Sequence, residues 1–335
     1  MSEKDRRLSI WAAERKLDGV HLRRRCNIAW ITDGADVHCD AASSLGIASV
    51  VWTPHAKVVL TDDIEAARLL DEELSSEWEV RAARWWEPQD APAGRFATDW
   101  PEDAIAELRQ ALVPGEIERA KALGAETAEA VQRVLQCVRR GASEHEVAAD
   151  LASALRRRGI FLHVALVAAD ERIGLYRHPI PTGKRVERCL MAAVCAQRRG
   201  LIVCLTRLVH FGAVPEDLRR RHDAVCRVDS VLHAATRPGA RWCDVLAKAI
   251  AAYAEEGYPD EWRKHHQGGP MGYEPRDFKA TPAETRAVLA GQLVGWNPTI
   301  TGTKSEDTIL SDGTVLTAMS DWPMNGARPD ILASA

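Results

Sequence analysis

The sequence predicts an α+β protein of two domains, a small α/β domain over residues 1–114 and a larger domain over 115–335 in which helix pairs alternate with strand pairs. Three observations predict it. From Asn27 to Trp86 short apolar runs alternate quickly with Gly, Pro and Asp, the pattern of short strands. After Pro114 and Gly115, which mark the domain boundary, apolar residues recur at three- and four-residue spacing over two long stretches, the mark of amphipathic helices. Two helices, a hairpin, two more helices and another hairpin then follow, a repeated αα-ββ arrangement.

In order, NIAWITDG, IASVVWTP and AKVVLTDD read as strands, IEAARLLDEEL as an amphipathic helix and WEVRAARWW as a further strand. Pro88, Pro92 and Gly94 interrupt this unit before a short strand in RFATDW and a helix in PEDAIAELRQALV. GEIERAKALGAETAEAVQRVLQCVRRG is a long helix, and SEHEVAADLASALRRRG a second one with Ser143 as N-cap. FLHVALVAA, CLMAAVCAQ and GLIVCLTRLVHFG are strands, and helices span Glu216 to Ala235 and Cys243 to Glu256. A polar loop, KHHQGGPMGYEPRD from Lys264 to Asp277, leads to a closing strand pair in QLVGWNPTI and EDTILSDGTVLTAM.

Composition narrows the function classes. With 335 residues the chain can bury two cores. Its 44 basic and 48 acidic residues leave a net charge of -4, with no excess of positive charge for a nucleic acid or an anionic membrane. The triplets Arg23 to Arg25, Arg156 to Arg158 and Arg219 to Arg221 lie in amphipathic segments and read as solvated helix faces. The eight cysteines form no C-x-x-C pair, and most sit in apolar surroundings, as free thiols do in a reducing compartment. No apolar run approaches membrane length and the N-terminus has no signal-peptide pattern, so a cytoplasmic protein is expected.

Several ordered segments resemble one family. YRHPIPTGK at 176–184 looks like a segment carrying a substrate-facing His. RRGLIVCLTRLVHFG looks like a G-Y-x-x-D-x-T-R-T segment, with Gly200, Thr206 and Arg207 in register. GGPMGYEPRD looks like G-H-G-I-G-x-x-x-H-E, while GQLVGWNP and SEDTILSDGTVLT look like two glutamate segments. On these segments the chain is identified as a divergent member of the creatinase, prolidase and aminopeptidase P family. The resemblance implies a creatinase-like N-terminal domain, a C-terminal domain of pita-bread fold and a homodimer. Adjacent Trp85 and Trp86, with Trp30, Trp52 and Trp78 nearby, suit the expectation of a partner subunit.

In the metallopeptidases of that family two Asp, one His and two Glu hold a pair of divalent ions. The matching positions here are Ala193, Cys204, Gly269, Asn297 and Glu306, so only one ligand keeps its side chain. One carboxylate cannot hold two hard cations, and neither metal nor any other cofactor is expected.

Polar residues still crowd the segments that converge in relatives. The resemblance implies His178 as general base, at the position of the corresponding His in creatinase, which works without metal, with Glu306 orienting it or donating a proton. A His satisfied by neighbouring backbone is the structural alternative. Substrate contacts are expected from Tyr176, Arg177, His265, His266, Gln267, Tyr273, Asn297 and Lys304. Arg276 and Asp277 bind a substrate carboxylate or pair with each other. Cys204 is a nucleophile or an apolar filler, and Trp296 packs in the core. The expected function is metal-independent acid–base hydrolysis of a C–N bond in a small nitrogenous molecule, or a related elimination, cyclisation or isomerisation. An Xaa-Pro aminopeptidase with unexpected metal ligands and a catalytically silent binding protein are the alternatives.

Overall fold

The computed structural model describes residues 1–88 and 92–334. It comprises two compact units, residues 1–113 with 199–201, and residues 114–198 with 202 onward.

The first unit opens on a helix not anticipated in the sequence, α1 (Glu3–Glu14), nucleated by a capping box in which Ser2 Oγ accepts from the Asp5 amide and the Asp5 carboxylate accepts from the Ser2 amide. There follow β1 (Gly19–Arg24), α2 (Arg25–Ile31), β2 (Leu45–Thr53) and β3 (Ala56–Asp62). A helical turn, α3 (Ala66–Arg68), runs into a π turn over Leu69–Glu73, then come β4 (Glu79–Ala83) and β5 (Phe96–Thr98). The sheet order is β4-β3-β2-β1-β5, with antiparallel pairs in the middle and a parallel strand at each edge.

Two expectations fail here. NIAWITDG is the helix α2, and the strand is the preceding GVHLRR. All of Cys26 to Ile31 is buried, so the segment has no alternating face, and the Asn27 amide donates to both Asp99 Oδ2 and Asp103 Oδ1 at 2.9 Å. PEDAIAELRQALV forms only a 3₁₀ turn at Ala106–Arg109, because buried Arg109 reaches back to Asp103 (2.6 Å) and Asn27 (2.8 Å). Tertiary polar contacts outweigh strand propensity in the first place and helix propensity in the second.

The second unit begins with α4 (Pro114–Cys137) and α5 (Glu144–Arg156), the latter opened by the expected Ser143 cap with Glu146 completing the box. β6 (Phe161–Ala169), a short α6 (Arg172–Leu175), β7 (Cys189–Arg198) and β8 (Leu201–Phe211) follow. Then come α7 (Glu216–Ala235), α8 (Trp242–Glu255), a 3₁₀ turn over Glu261–Lys264, β9 (Gly268–Met271) and β10 (Leu293–Trp296). The chain closes with β11 (Thr299–Ile300), β12 (Thr303–Lys304), β13 (Asp307–Leu310), β14 (Met324–Asn325), β15 (Arg328–Pro329) and β16 (Leu332–Ser334). The segment expected to be a loop over 264–277 therefore contains β9, which pairs with β10, Gly269 facing Gly295.

Each helix pair covers one sheet, as the pita-bread expectation requires. Val131 and Leu135 of α4 and Val147 and Leu151 of α5 pack on Leu190 and Leu205 of the β16-β8-β7-β6 sheet. Val225 and Leu232 of α7 and Val245 of α8 pack on Val294 and Ile309 of the β13-β10-β9 sheet. Each such side chain contributes about 1.5–3 kcal/mol. Every residue of β8 is buried, which explains its largely apolar sequence. A bridge between Thr206 of β8 and Glu306, next to β13, joins the two halves, with the Thr206 amide donating to the Glu306 carbonyl at 3.1 Å.

Beside that bridge lies a buried ionic network. Asp307 accepts from Arg207 Nη2 (2.8 Å) and from Arg328 Nη2 (2.6 Å), and Arg328 Nε donates to Asp229 (2.7 Å), which also accepts from Ser305 Oγ (2.5 Å). Among the described residues no helix is long and apolar enough to cross a membrane. All eight cysteines are free thiols, with Cys39 and Cys137 exposed.

Candidate active site

The backbone brings three histidines together from two segments. His178 stands in the turn after α6, and His265 and His266 follow the 3₁₀ turn that leads into β9. His178 Nε2 lies 3.1 Å from His265 Nε2, and the rings of His265 and His266 stack at 4.3 Å between centroids. One clasp holds both segments. Arg177 Nη2 donates to Glu261 Oε2 (3.1 Å) and to Thr301 Oγ1 (2.8 Å), while the Thr301 amide donates to Glu261 Oε2 (3.0 Å). Glu261 was not singled out in the sequence, although its place four residues ahead of His265, in the helical turn EWRK, is the signal that could have found it.

Behind the histidines opens a cavity of about 330 Å³. Its polar lining is His178, His266, Arg276, Asn297, Lys304 and Glu306, and an apolar wall is built from Val164, Leu166, Val194 and Pro275. Glu306 is buried, and both of its hydrogen bonds fall on Oε2. Its carboxylate accepts from Lys304 Nζ (2.8 Å) and Thr206 Oγ1 (2.5 Å), with Arg276 Nη2 at 3.7 Å. Burial works to raise its pKa, but the Lys304 and Arg276 cations outweigh burial and hold it below the usual carboxylate range. Asn297 is also buried, and its Oδ1 has no hydrogen-bond partner, an acceptor directed at whatever enters the cavity.

The expected pairing of Glu306 with His178 is not formed. His178 meets His265 instead, since Lys304 and Thr206 lie closer to the carboxylate and satisfy it. Arg276 turns to Glu306 and to Cys204 Sγ (3.8 Å), and the Asp277 amide donates to the Pro270 carbonyl. Cys204 lies beneath the cavity rather than in its lining, and burial pushes its thiol up to about 11, which suits the filler reading and not a nucleophile.

Other expected contacts are used structurally. Gln267 Oε1 accepts from Tyr253 Oη (2.7 Å) while its amide donates to the Trp262 and His265 carbonyls. Tyr273 Oη donates to Glu116 of α4 at 2.6 Å. Tyr176 is exposed under the Arg172 guanidinium. None of these three lines the cavity, and Trp296 is core, as expected, with Nε1 donating to Thr236. Cys195, not singled out, joins the wall, where burial raises its thiol pKa well above the ordinary value.

Burial, reinforced by the cations around the cavity, lowers the pKa of all three histidines, with His265 at about 2 and His266 at about 4. An unfolded chain titrates these groups near 6.5. The folded values lie below the unfolded ones, so the stability that neutral His265 and His266 contribute is complete above about pH 6.5 and is lost as the pH falls toward the folded values. We expect each to cost about 1 kcal/mol at pH 5 relative to pH 7, after allowance for partial exposure. Thermal melts at the two pH values should show a smaller difference for His265→Asn with His266→Asn than for the native chain, and equal differences would reject the assignment.

Comparison with known proteins bears on the family and the fold. The family model described as metallopeptidase family M24 matches residues 118–319. The fold is similar to that of the prolidase from Pyrococcus horikoshii OT3, with TM-score 0.77, 18% identity, and 95% of this chain and 99% of that chain covered. It is similar also to a recombinant prolidase from Thermococcus sibiricus, with TM-score 0.78, 15% identity and 100% of both chains covered. The N-terminal domain of the FACT complex subunit SPT16 from Cicer arietinum is a further likeness, with TM-score 0.67, 11% identity, and 95% and 96% covered. No curated protein matches the chain. At these identities the solved structures speak for the fold, and with the family model spanning well over half of the residues, the chain belongs to metallopeptidase family M24.

Proposed function

We propose that this chain is a hydrolase that cleaves a C–N bond in a small nitrogenous molecule without the dinuclear metal centre of its family. Membership of a peptidase family supports the hydrolase class. The observation that carries the metal-free reading is the surroundings of Glu306. Lys304 and Arg276 flank this carboxylate, so the protein's own cations supply the positive charge that metal ions would bring. The rest of the family's ligand set does not fit a metal pair. Ala193 offers no donor, Cys204 is a buried thiol and Asn297 an uncharged amide. Gly269 has φ +154°, and a Cβ there would lie 2.4 Å from the Phe278 carbonyl oxygen, so this backbone does not admit a His.

In this reading neutral His178 takes a proton from water as the water oxygen bonds to the substrate carbon. The C–N bond then breaks, and the leaving nitrogen receives the proton back from the imidazolium. His265 Nε2, 3.1 Å away, steadies the ring. Lys304 and Arg276 favour the negative charge that develops on the oxygen of the tetrahedral intermediate, and Asn297 Oδ1 accepts a substrate N–H. Glu306 acts as a positioning group for Lys304.

The test is turnover by chelator-treated protein against a panel of small N-amidino and N-acyl amino acids, with Xaa-Pro dipeptides alongside. Metal-free hydrolysis of a panel member, lowered by at least about a hundredfold in Lys304→Met, is the expected result. Dipeptide cleavage that appears only on adding Mn²⁺ or Co²⁺ would overturn the proposal in favour of a metallopeptidase.

A further inference from the structure

We propose that His178, His265 and His266 form a site for one late first-row divalent ion, with Zn²⁺ as the natural probe, distinct from the five positions at which the family's metallopeptidases hold metals. One ring nitrogen from each histidine lies within 4.8 Å of the other two. The His178 and His265 Nε2 atoms are already 3.1 Å apart, and two ligands at about 2.0–2.1 Å on a tetrahedral zinc lie about 3.3 Å from each other. Small side-chain rotations bring in the third nitrogen.

The trio has unused lone-pair capacity. The two Nε2 atoms meet head-on, so without an ion one must donate a proton to the other, whereas an ion takes both lone pairs. The Nδ1 atoms of His265 and His266 are buried with no hydrogen-bond partner, so no hydrogen bond at Nδ1 opposes ligation through Nε2. The Arg177, Glu261 and Thr301 clasp fixes both histidine-bearing segments in advance, which lowers the ordering cost of binding.

The donor set chooses the ion. Three imidazoles and no free carboxylate suit Zn²⁺, Ni²⁺ or Cu²⁺ and not Mg²⁺, Ca²⁺ or Mn²⁺, whose sites are built from oxygen. Glu306 is held by Lys304 and Thr206 and is not available as a ligand. Nearby Lys304 opposes a second positive charge, which further disfavours ions that bind imidazole weakly. A three-His set leaves a fourth position for water or a small anion on the cavity side. An ion on Nε2 holds the ring proton of His178 on Nδ1 and leaves it no lone pair to accept a proton, so the proposal adds inhibition by zinc to the function proposed above. Binding itself does not depend on that function.

Calorimetric titration of the metal-free full chain with ZnCl₂ alone tests it, with the d–d absorption of Co²⁺ as a second readout of coordination number. One equivalent is expected, with no saturable heat from MgCl₂, and with affinity at least about tenfold weaker in His265→Ala and in His266→Ala. Thermal melts establish that each variant folds. If the half-buried pair does not tolerate change, His178→Ala, at an exposed side chain, carries the same expectation. No saturable Zn²⁺ binding, two equivalents, or affinity unchanged in folded variants would overturn the site. Such an outcome leaves metal-free turnover, measured separately, untouched.

Discussion

His178→Asn is expected to lower turnover of the substrate by about 10²–10⁴-fold, the range for loss of a general base, with the melting temperature nearly unchanged. The asymmetry follows from its position. His178 is exposed at the cavity mouth, its side chain meets His265, and among the described residues it belongs neither to the helix cores nor to the buried ionic network. Removing it therefore creates no cavity and strands no buried charge. Its imidazole titrates below the usual value because of burial and the Lys304 charge, so the base form predominates at pH 7 and above. The fall should accordingly appear in kcat at pH 7–8. A variant that melts early yet keeps its rate when folded would make His178 structural and move the base to His265 or His266.

Asp307→Ala is expected to cost about 3–5 kcal/mol, the largest effect on stability of any single polar substitution proposed for this chain. Asp307 is buried and receives one guanidinium on each oxygen, Arg207 at 2.8 Å and Arg328 at 2.6 Å. Without it Arg207, itself buried, keeps only carbonyl and sulfur acceptors, and Arg328 keeps only Asp229 and a contact with His233. An uncompensated buried cation is costly in a low-dielectric interior. Burial alone would raise the pKa of Asp229, yet Arg328 and His233 hold it far below the ordinary value, so the network is ionised in the folded state. Denaturant titration should show the loss as a lower midpoint at unchanged slope. A shift below about 1 kcal/mol would mean that water or backbone compensates the arginines, contrary to the packing around them.

What the sequence by itself determined is what depends on local order along the chain. The helices α4, α5, α7 and α8 were legible because a 3.6-residue apolar period and a Ser143–Glu146 cap act within one turn. The strands β6, β7 and β8 were legible as largely apolar runs, and the order of those elements with the family segments around His178, Asn297 and Glu306 led to the fold. Tertiary structure alone decided the rest. α2 is helical because Asn27 finds two carboxylates more than seventy residues away, which no local period encodes. Glu306 lies with Lys304 and not with His178, and His178 lies with His265, 87 residues distant, because charged and polar groups in a buried cavity pair with whatever the fold brings within about 3 Å. Residue type declares which groups need a partner. Only the packed chain sets which partner is near enough to serve, since Coulomb and hydrogen-bond energies depend on separation in space and not on separation in sequence.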